Sequence, residues 1–137
     1  MALIHLDAGV VIGFLDGNDV HHRAAHAMLA AALRDGDRLA MASSAFAECL
    51  VGPARRGNAE IETVRALFDR LPIAVIELDL ETAVVAARLR AAHRALHLPD
   101  ALVIATAIEQ AADQLVTTDR KWPAARSLKL KAVVKHL

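Results

Sequence analysis

The chain has a single cysteine, no net charge and no long apolar run, and each lack closes off a class of protein. Cys49 alone cannot form an internal disulfide, which fits a reducing cytoplasm. No apolar stretch approaches the ~20 residues needed to span a bilayer, so no membrane segment is expected. The first residues lack a basic n-region, so no signal peptide is expected either. There is no Walker A loop for a nucleoside triphosphate and no G-x-S-x-G nucleophile elbow. Internal repeats, linkers and low-complexity segments are also missing.

What remains is 137 residues, 55% of them hydrophobic, with alanine carrying much of that share. Residues 1–137 read as one domain large enough for a real core. Charge balances overall but not along the chain. Up to Asp119 there are 10 basic and 16 acidic residues, and beyond it 6 basic residues and no acid. The basic end could grip nucleic-acid phosphate or an acidic partner, or be an ordinary solvated surface.

Short apolar runs alternate with helical patterns along the whole length. Strands are expected at residues 2–6, 39–42, 73–78, 114–118 and, shorter, 131–134. Helices are expected at about 21–34, 44–55, 59–71 and 80–96, with a last one from about Asp100. Asn18 or Asp19, Ser43 or Ser44, Asn58 and Asp79 are the expected caps. Along the 80–96 helix Val84, Ala87, Ala91 and Ala95 share one side. This alternation argues for an open, mostly parallel α/β sheet of four to five strands flanked by helices.

The chain is organised around Leu98-Pro99-Asp100-Ala101-Leu102-Val103-Ile104-Ala105-Thr106-Ala107. Pro99 disfavours helix at Leu98, so the helix is expected to open at Asp100. Beyond it only Thr106 is polar, and a helix apolar all round belongs in a core. Asp100 is then either an N-cap, stabilising by roughly 1 kcal/mol, or a working carboxylate near the core. Asp7 interrupts continuous apolar sequence at the end of the first strand, a poor place for a solvated acid. Glu48 is the one charge in Ala45–Val51, which suits either a wet helix edge or a site. Asp119 ends the fourth strand.

In doubly wound sheets ligands bind beyond the carboxyl ends of the strands, where strand order reverses. Asp7, Glu48, Asp100 and Asp119 can all meet there. Carboxylates ~4 Å apart repel by roughly 4 kcal/mol at an effective dielectric of 20, so such a cluster binds a cation or takes up protons. An all-oxygen set suits Mg²⁺, or Mn²⁺, and the chemistry implied is metal-assisted phosphodiester hydrolysis. The pairs His22/His26 and His93/His97 have the i, i+4 spacing of zinc ligands. They lack the glutamate of H-E-x-x-H, a cysteine pair and a third ligand, so surface histidines are the plainer reading.

Leu6-Asp7 with Val10-Val11-Ile12, Phe46-Ala47-Glu48-Cys49-Leu50, Leu98-Pro99-Asp100-Ala101-Leu102 and Thr117-Thr118-Asp119-Arg120 together resemble the PIN-domain nucleases. The likeness is greatest to their VapC branch, the ribonuclease toxins of bacterial toxin–antitoxin pairs, and it spans essentially the whole chain. It implies a PIN-like three-layer fold and a Mg²⁺-dependent endoribonuclease. It carries the four acids onto Asp7, Glu48, Asp100 and Asp119 as catalytic metal ligands, Glu48 through water, with Thr117 in support. It also implies an RNA substrate, a cognate antitoxin placing a basic side chain among the acids, and a homodimer. The family's hydroxyl after the first acid is replaced here by Ala8. Two rival readings stand beside it, a phosphoacceptor signalling domain and a nuclease-like fold kept for binding alone. The former needs an acidic pair at the end of the first strand, and Asp7 has no acidic neighbour.

Overall fold

The computed structural model describes residues 1–137. Five strands form one sheet: β1 (Leu3–Leu6), β2 (Arg38–Ala42), β3 (Ile73–Ile76), β4 (Gln114–Thr117) and β5 (Val133–His136). Their order is β3-β2-β1-β4-β5 and every pairing is parallel. Six helices flank the sheet: α1 (Ala8–Leu15), α2 (His22–Arg34), α3 (Ser43–Arg56), α4 (Asn58–Arg70), α5 (Leu80–Ala92) and α6 (Leu98–Glu109). Right-handed crossovers put α1 to α4 on one face, since β1, β2 and β3 are laid down in one direction. The crossover from β3 to β4 reverses direction and puts α5 and α6 on the other. Strand order therefore switches between β1 and β4, and Asp7 stands at the end of β1. No helix is long and apolar enough to cross a membrane.

The central strands are almost continuously apolar because both faces are covered. Leu6, Met41, Leu115 and Val116 are almost fully buried, each contributing roughly 1.5–3 kcal/mol. On α6, Ala101 and Val103 through Ala107 are all buried, as an all-round apolar helix requires. Thr106 satisfies its hydroxyl within the helix, donating to the Leu102 carbonyl at 2.7 Å.

Several boundaries differ from expectation. Ala8–Leu15, left without an element on sequence, is helical, because Asp7 caps it and accepts from the Ala8 N–H. α6 opens at Leu98, with His97 extended as its N-cap and Pro99 in the first turn. Asp100 is thus inside the helix and not its cap. α5 ends at Ala92, four residues early, and a turn through His93–Leu96 re-aims the chain. Its packed side carries Thr82 and Ala86, while Val84 is exposed, because alanines all round leave the helix no apolar face to prefer. Asp79 does cap α5, bonding the Thr82 N–H at 2.8 Å. The serines do not cap α3, whose N-cap is Ala42, and α2 begins after His21. α3 runs through Gly52 and Pro53 to Arg56. β5 lies two residues later than expected, at Val133–His136.

Candidate active site

The register brings β1 and β4 level at their carboxyl ends, with Leu6 opposite Val116. The ladder continues one residue further, the Asp7 N–H meeting the Val116 carbonyl at 2.9 Å. Asp7 is therefore held by its backbone before its side chain is considered. Its carboxylate is buried and doubly bonded: Oδ1 accepts from the Ala8 N–H at 2.8 Å and Oδ2 from the Thr117 hydroxyl at 2.7 Å. Thr117 in turn accepts the Asp119 N–H at 3.0 Å. One hydroxyl thus ties the first acid to the turn that carries the last. Asp119 shapes that turn further, its Oδ1 accepting the Lys121 N–H at 2.8 Å.

The four acids feel one another. Burial raises the Asp7 pKa above its ordinary value, and Asp100 and Asp119 add to the rise, against the bonds from Thr117 and Ala8. Glu48, one and a half turns into α3, is raised by desolvation and then by Asp7 and Asp100, although its side chain stands on the exposed side of the helix. Asp100 is raised by desolvation and by Asp119, while Trp122 and His97 pull the other way. No lysine or arginine forms an ion pair with any of the four; the two salt bridges present are His21–Asp19 and Arg65–Glu62. The helix dipole of α6 offers Asp100, in its first turn, partial relief.

Such a set of uncompensated oxygens has the donor chemistry of a hard divalent cation. As the side chains stand, no three His, Cys, Asp or Glu groups converge closely enough to hold an ion. The fit therefore lies in donor type and charge. Glu48 is also among the residues lining a groove of about 680 Å³ between α1, α3 and α4, with Ile12, Leu15, Val51, Val64 and Leu67.

The histidine pairs are engaged otherwise. The His22 Nδ1 meets the Gly13 carbonyl at 2.9 Å, and the His26 ring stacks on Phe14 with centroids 5.8 Å apart. His97, the N-cap of α6, lowers the Asp100 pKa. Three residues at or beside the site escaped the sequence reading. Trp122 lies near Asp100 and was signalled only by being the one tryptophan, three residues past an acid. Thr118 sets its hydroxyl against the open face of Gly9, where any Cβ would collide with it. His5, two residues before Asp7, is fully buried with neither ring nitrogen bonded; its place in the apolar run 2–6 signals the burial but not the lack of a partner.

Comparison with known proteins adds a family and a fold. The model of the PIN domain family matches residues 4–128. No curated protein sequence matches the chain. Among solved structures, VapBC2 from Rickettsia felis bound to a promoter DNA fragment superposes with a TM-score of 0.71 at 15% identity, covering 98% of both chains. A toxin–antitoxin complex from Klebsiella pneumoniae gives 0.70 at 21% identity, over 93% of this chain and 94% of that one. VapC20 of Mycobacterium tuberculosis, a toxin that cleaves the sarcin–ricin loop, gives 0.65 at 15% identity, over 82% and 86%.

Proposed function

This chain belongs to the PIN-domain family, and from that premise we propose that it is a divalent-cation-dependent endoribonuclease, the toxin of a VapBC-type pair acting in the cytoplasm. The observation that carries the proposal is the placement of Asp7 and Asp119 at the carboxyl ends of β1 and β4, where strand order reverses and Thr117 ties the two together, with no lysine or arginine paired to them or to Glu48 and Asp100. Mg²⁺, or Mn²⁺, held by these oxygens would neutralise charge at the phosphate and make water a stronger nucleophile. Asp7 is the rigid member, its two oxygens oriented by Ala8 and Thr117. Asp100 and Asp119 supply further oxygen donors from α6 and the β4 turn. Glu48, on the exposed side of α3 and in the lining of the groove, would complete the oxygen set through water. RNA phosphates have Arg120 and Lys121 beside Asp119, both exposed, as counter-charges.

The phosphoacceptor reading fits less well, since domains of that kind have the strand order 2-1-3-4-5 and this sheet does not. A cognate antitoxin is the expected partner. The half-apolar groove that Glu48 helps to line suits a peptide whose basic side chain reaches the acids. A homodimer is also expected, and Leu78, Leu80 and Val84 stand exposed at the start of α5 as an apolar stripe for it. The test is cleavage of single-stranded RNA with millimolar Mg²⁺ and with chelator. Asp100→Asn should lose at least about 100-fold in rate while keeping a wild-type far-UV spectrum. Wild-type cleavage by that variant, or cleavage indifferent to chelator, would overturn the proposal.

A further inference from the structure

We propose that the outer edge of the sheet, from the crossover after Asp119 along β5, is a cationic track that holds the flank of a single-stranded RNA leading away from the acids. That the RNA is then cut rests on the nuclease reading above; the track itself does not.

Residues 120–137 carry Arg120, Lys121, Arg126, Lys129, Lys131 and Lys135 and no acid. All six are exposed and none is in an ion pair. An ordinary solvated surface mixes the two signs, as α4 does with Glu60, Glu62, Arg65, Asp69 and Arg70. A surface of one sign repels itself and gains from a polyanion. The fold lines these cations up. β5 is an edge strand parallel to β4, so the crossover returns from the carboxyl end of the sheet to its amino end. Arg120 through Lys131 therefore descend the outer edge, and Lys135 and His136 climb back beside Val116 and Thr117. Arg120 is tied to the carboxyl end of β5, donating to the Leu137 carbonyl at 3.2 Å with one of its five N–H groups.

The crossover also contains a strained lysine. The Leu130 N–H bonds the Ala125 carbonyl at 3.0 Å and the Lys129 N–H the Arg126 carbonyl at 3.1 Å, a pattern that closes a helical turn on a left-handed residue. Lys129 is that residue, at φ 54°, where glycine is usual. Leu128 is buried before it and Leu130 packs against the core after it, which leaves Lys129 facing out. A lysine kept where glycine would be relaxed points to a use for its charge.

The occupant follows from that charge and from what the edge lacks. Residues 120–137 hold no phenylalanine or tyrosine, and the Trp122 ring packs against the core, so the edge offers phosphate contacts rather than base stacking. The acids at the carboxyl end repel a polyanion, and cations along the adjoining edge offset that repulsion.

Binding of a fifteen-nucleotide single-stranded RNA to the full chain in chelator reads the track without cleavage. Lys131→Gln with Lys135→Gln should weaken binding roughly 10-fold and lower the slope of log affinity against log salt by about 1.4, at ~0.7 per cation. Arg65→Gln with Arg70→Gln removes the same charge from α4, which leads into β3 at the opposite edge, and should leave affinity within about 2-fold. Lys129→Gly should weaken binding yet raise the melting temperature by about 3 °C, a pair of signs that no structural role for the lysine produces. With Mg²⁺, the β5 pair should raise KM and spare kcat on the fifteen-nucleotide RNA, and cleave a four-nucleotide RNA like wild type. Equal losses from the β5 and α4 pairs, or an unchanged salt slope, overturn the track. Tighter binding of polyglutamate or of duplex DNA than of single-stranded RNA overturns RNA as its occupant. RNA held through these lysines but left uncut with both Mg²⁺ and Mn²⁺ upholds the track and overturns the nuclease reading instead.

Discussion

At the amino end of the sheet, Asp37 and Asp113 stand just before β2 and β4. They accept the backbone N–H groups of Ala2 at 2.8 Å and Leu3 at 2.7 Å, so β1 is fastened on both sides. At the carboxyl end of the same three strands stand Asp7 and Asp119, joined by Glu48 and Asp100 from the helices. There Asp100 and Asp119 raise the Asp7 pKa, Asp7 and Asp100 raise that of Glu48, and Asp119 raises that of Asp100. At the amino end the carboxylates fasten strands, whereas at the carboxyl end burial and repulsion between carboxylates raise the pKa values of Asp7, Glu48 and Asp100. The difference lies in strand topology, because parallel strands send all their carboxyl ends, and the helix starts that follow, to one side.

His5 lies on β1 between the two ends and should produce the largest effect on stability. Burial lowers its pKa from 6.5 to about 4. The unfolded chain therefore binds a proton that the folded chain refuses, so this contribution to stability is full above pH 6.5 and is lost as pH falls towards 4. At about 1.4 kcal/mol per pH unit the loss reaches about 3 kcal/mol. The raised carboxylates work in the opposite sense, stabilising most below about pH 4 and losing that contribution as pH rises through their folded pKa values. His5→Leu should remove the acid-side loss and also spare two unbonded nitrogens. Chelator-treated protein unfolded in urea between pH 4 and 7 reads this. An unchanged slope in His5→Leu would place the acid sensitivity elsewhere.

The two ends should then respond to loss of a carboxylate with opposite signs. Asp37→Ala removes a charge-assisted bond to Ala2 and should cost about 1.5 kcal/mol without altering Mg²⁺ dependence. Asp119→Asn keeps an oxygen for the Lys121 N–H and removes one of the mutually repelling charges. In chelator it should gain about 1 kcal/mol, and its stabilisation by Mg²⁺ should shrink. Destabilisation of both variants by similar amounts would erase the contrast between the ends. Asp7 is a less clean choice for this test, since an amide there cannot accept from both Ala8 and Thr117.

The smallest effect belongs to an apolar cleft of about 190 Å³ near the amino end, bounded by Phe14, Leu29, Ala30, Leu33 and Ile73. Filling it with Ala30→Leu should stabilise by up to about 1 kcal/mol and leave RNA cleavage unchanged. A drop in cleavage would mean that the two ends are mechanically coupled.

Much of this arrangement was legible in the residues. The all-round apolar pattern of residues 101–107 forecast a buried helix, and the alternation of runs forecast a parallel sheet. Asp7 and Glu48 stood out because each interrupts apolar sequence, Asp100 and Asp119 by their places at a helix start and a strand end. The ends of elements were less legible. Pro99 argued for extended chain at Leu98, yet His97 takes that conformation and the helix opens one residue before the proline. Ala8–Leu15 is too uniformly apolar to show a helical period, and only the capping geometry of Asp7 reveals it. α5, ringed with alanine, gave no sign of which side would pack.

The sequence by itself determined the residue chemistry: oxygen donors without thiols, one lone indole, and runs whose period matches strand or helix. Those are short-range properties, set within a few residues by backbone preference and side-chain type. Only the tertiary structure decided that Thr117 would bond Asp7 across a separation of 110 residues. It alone placed β1 between β2 and β4, buried His5 without a partner, and set Trp122 beside Asp100. Burial and charge coupling depend on distance through space, and distance through space is fixed by strand order and crossover direction, which no local stretch of this chain encodes.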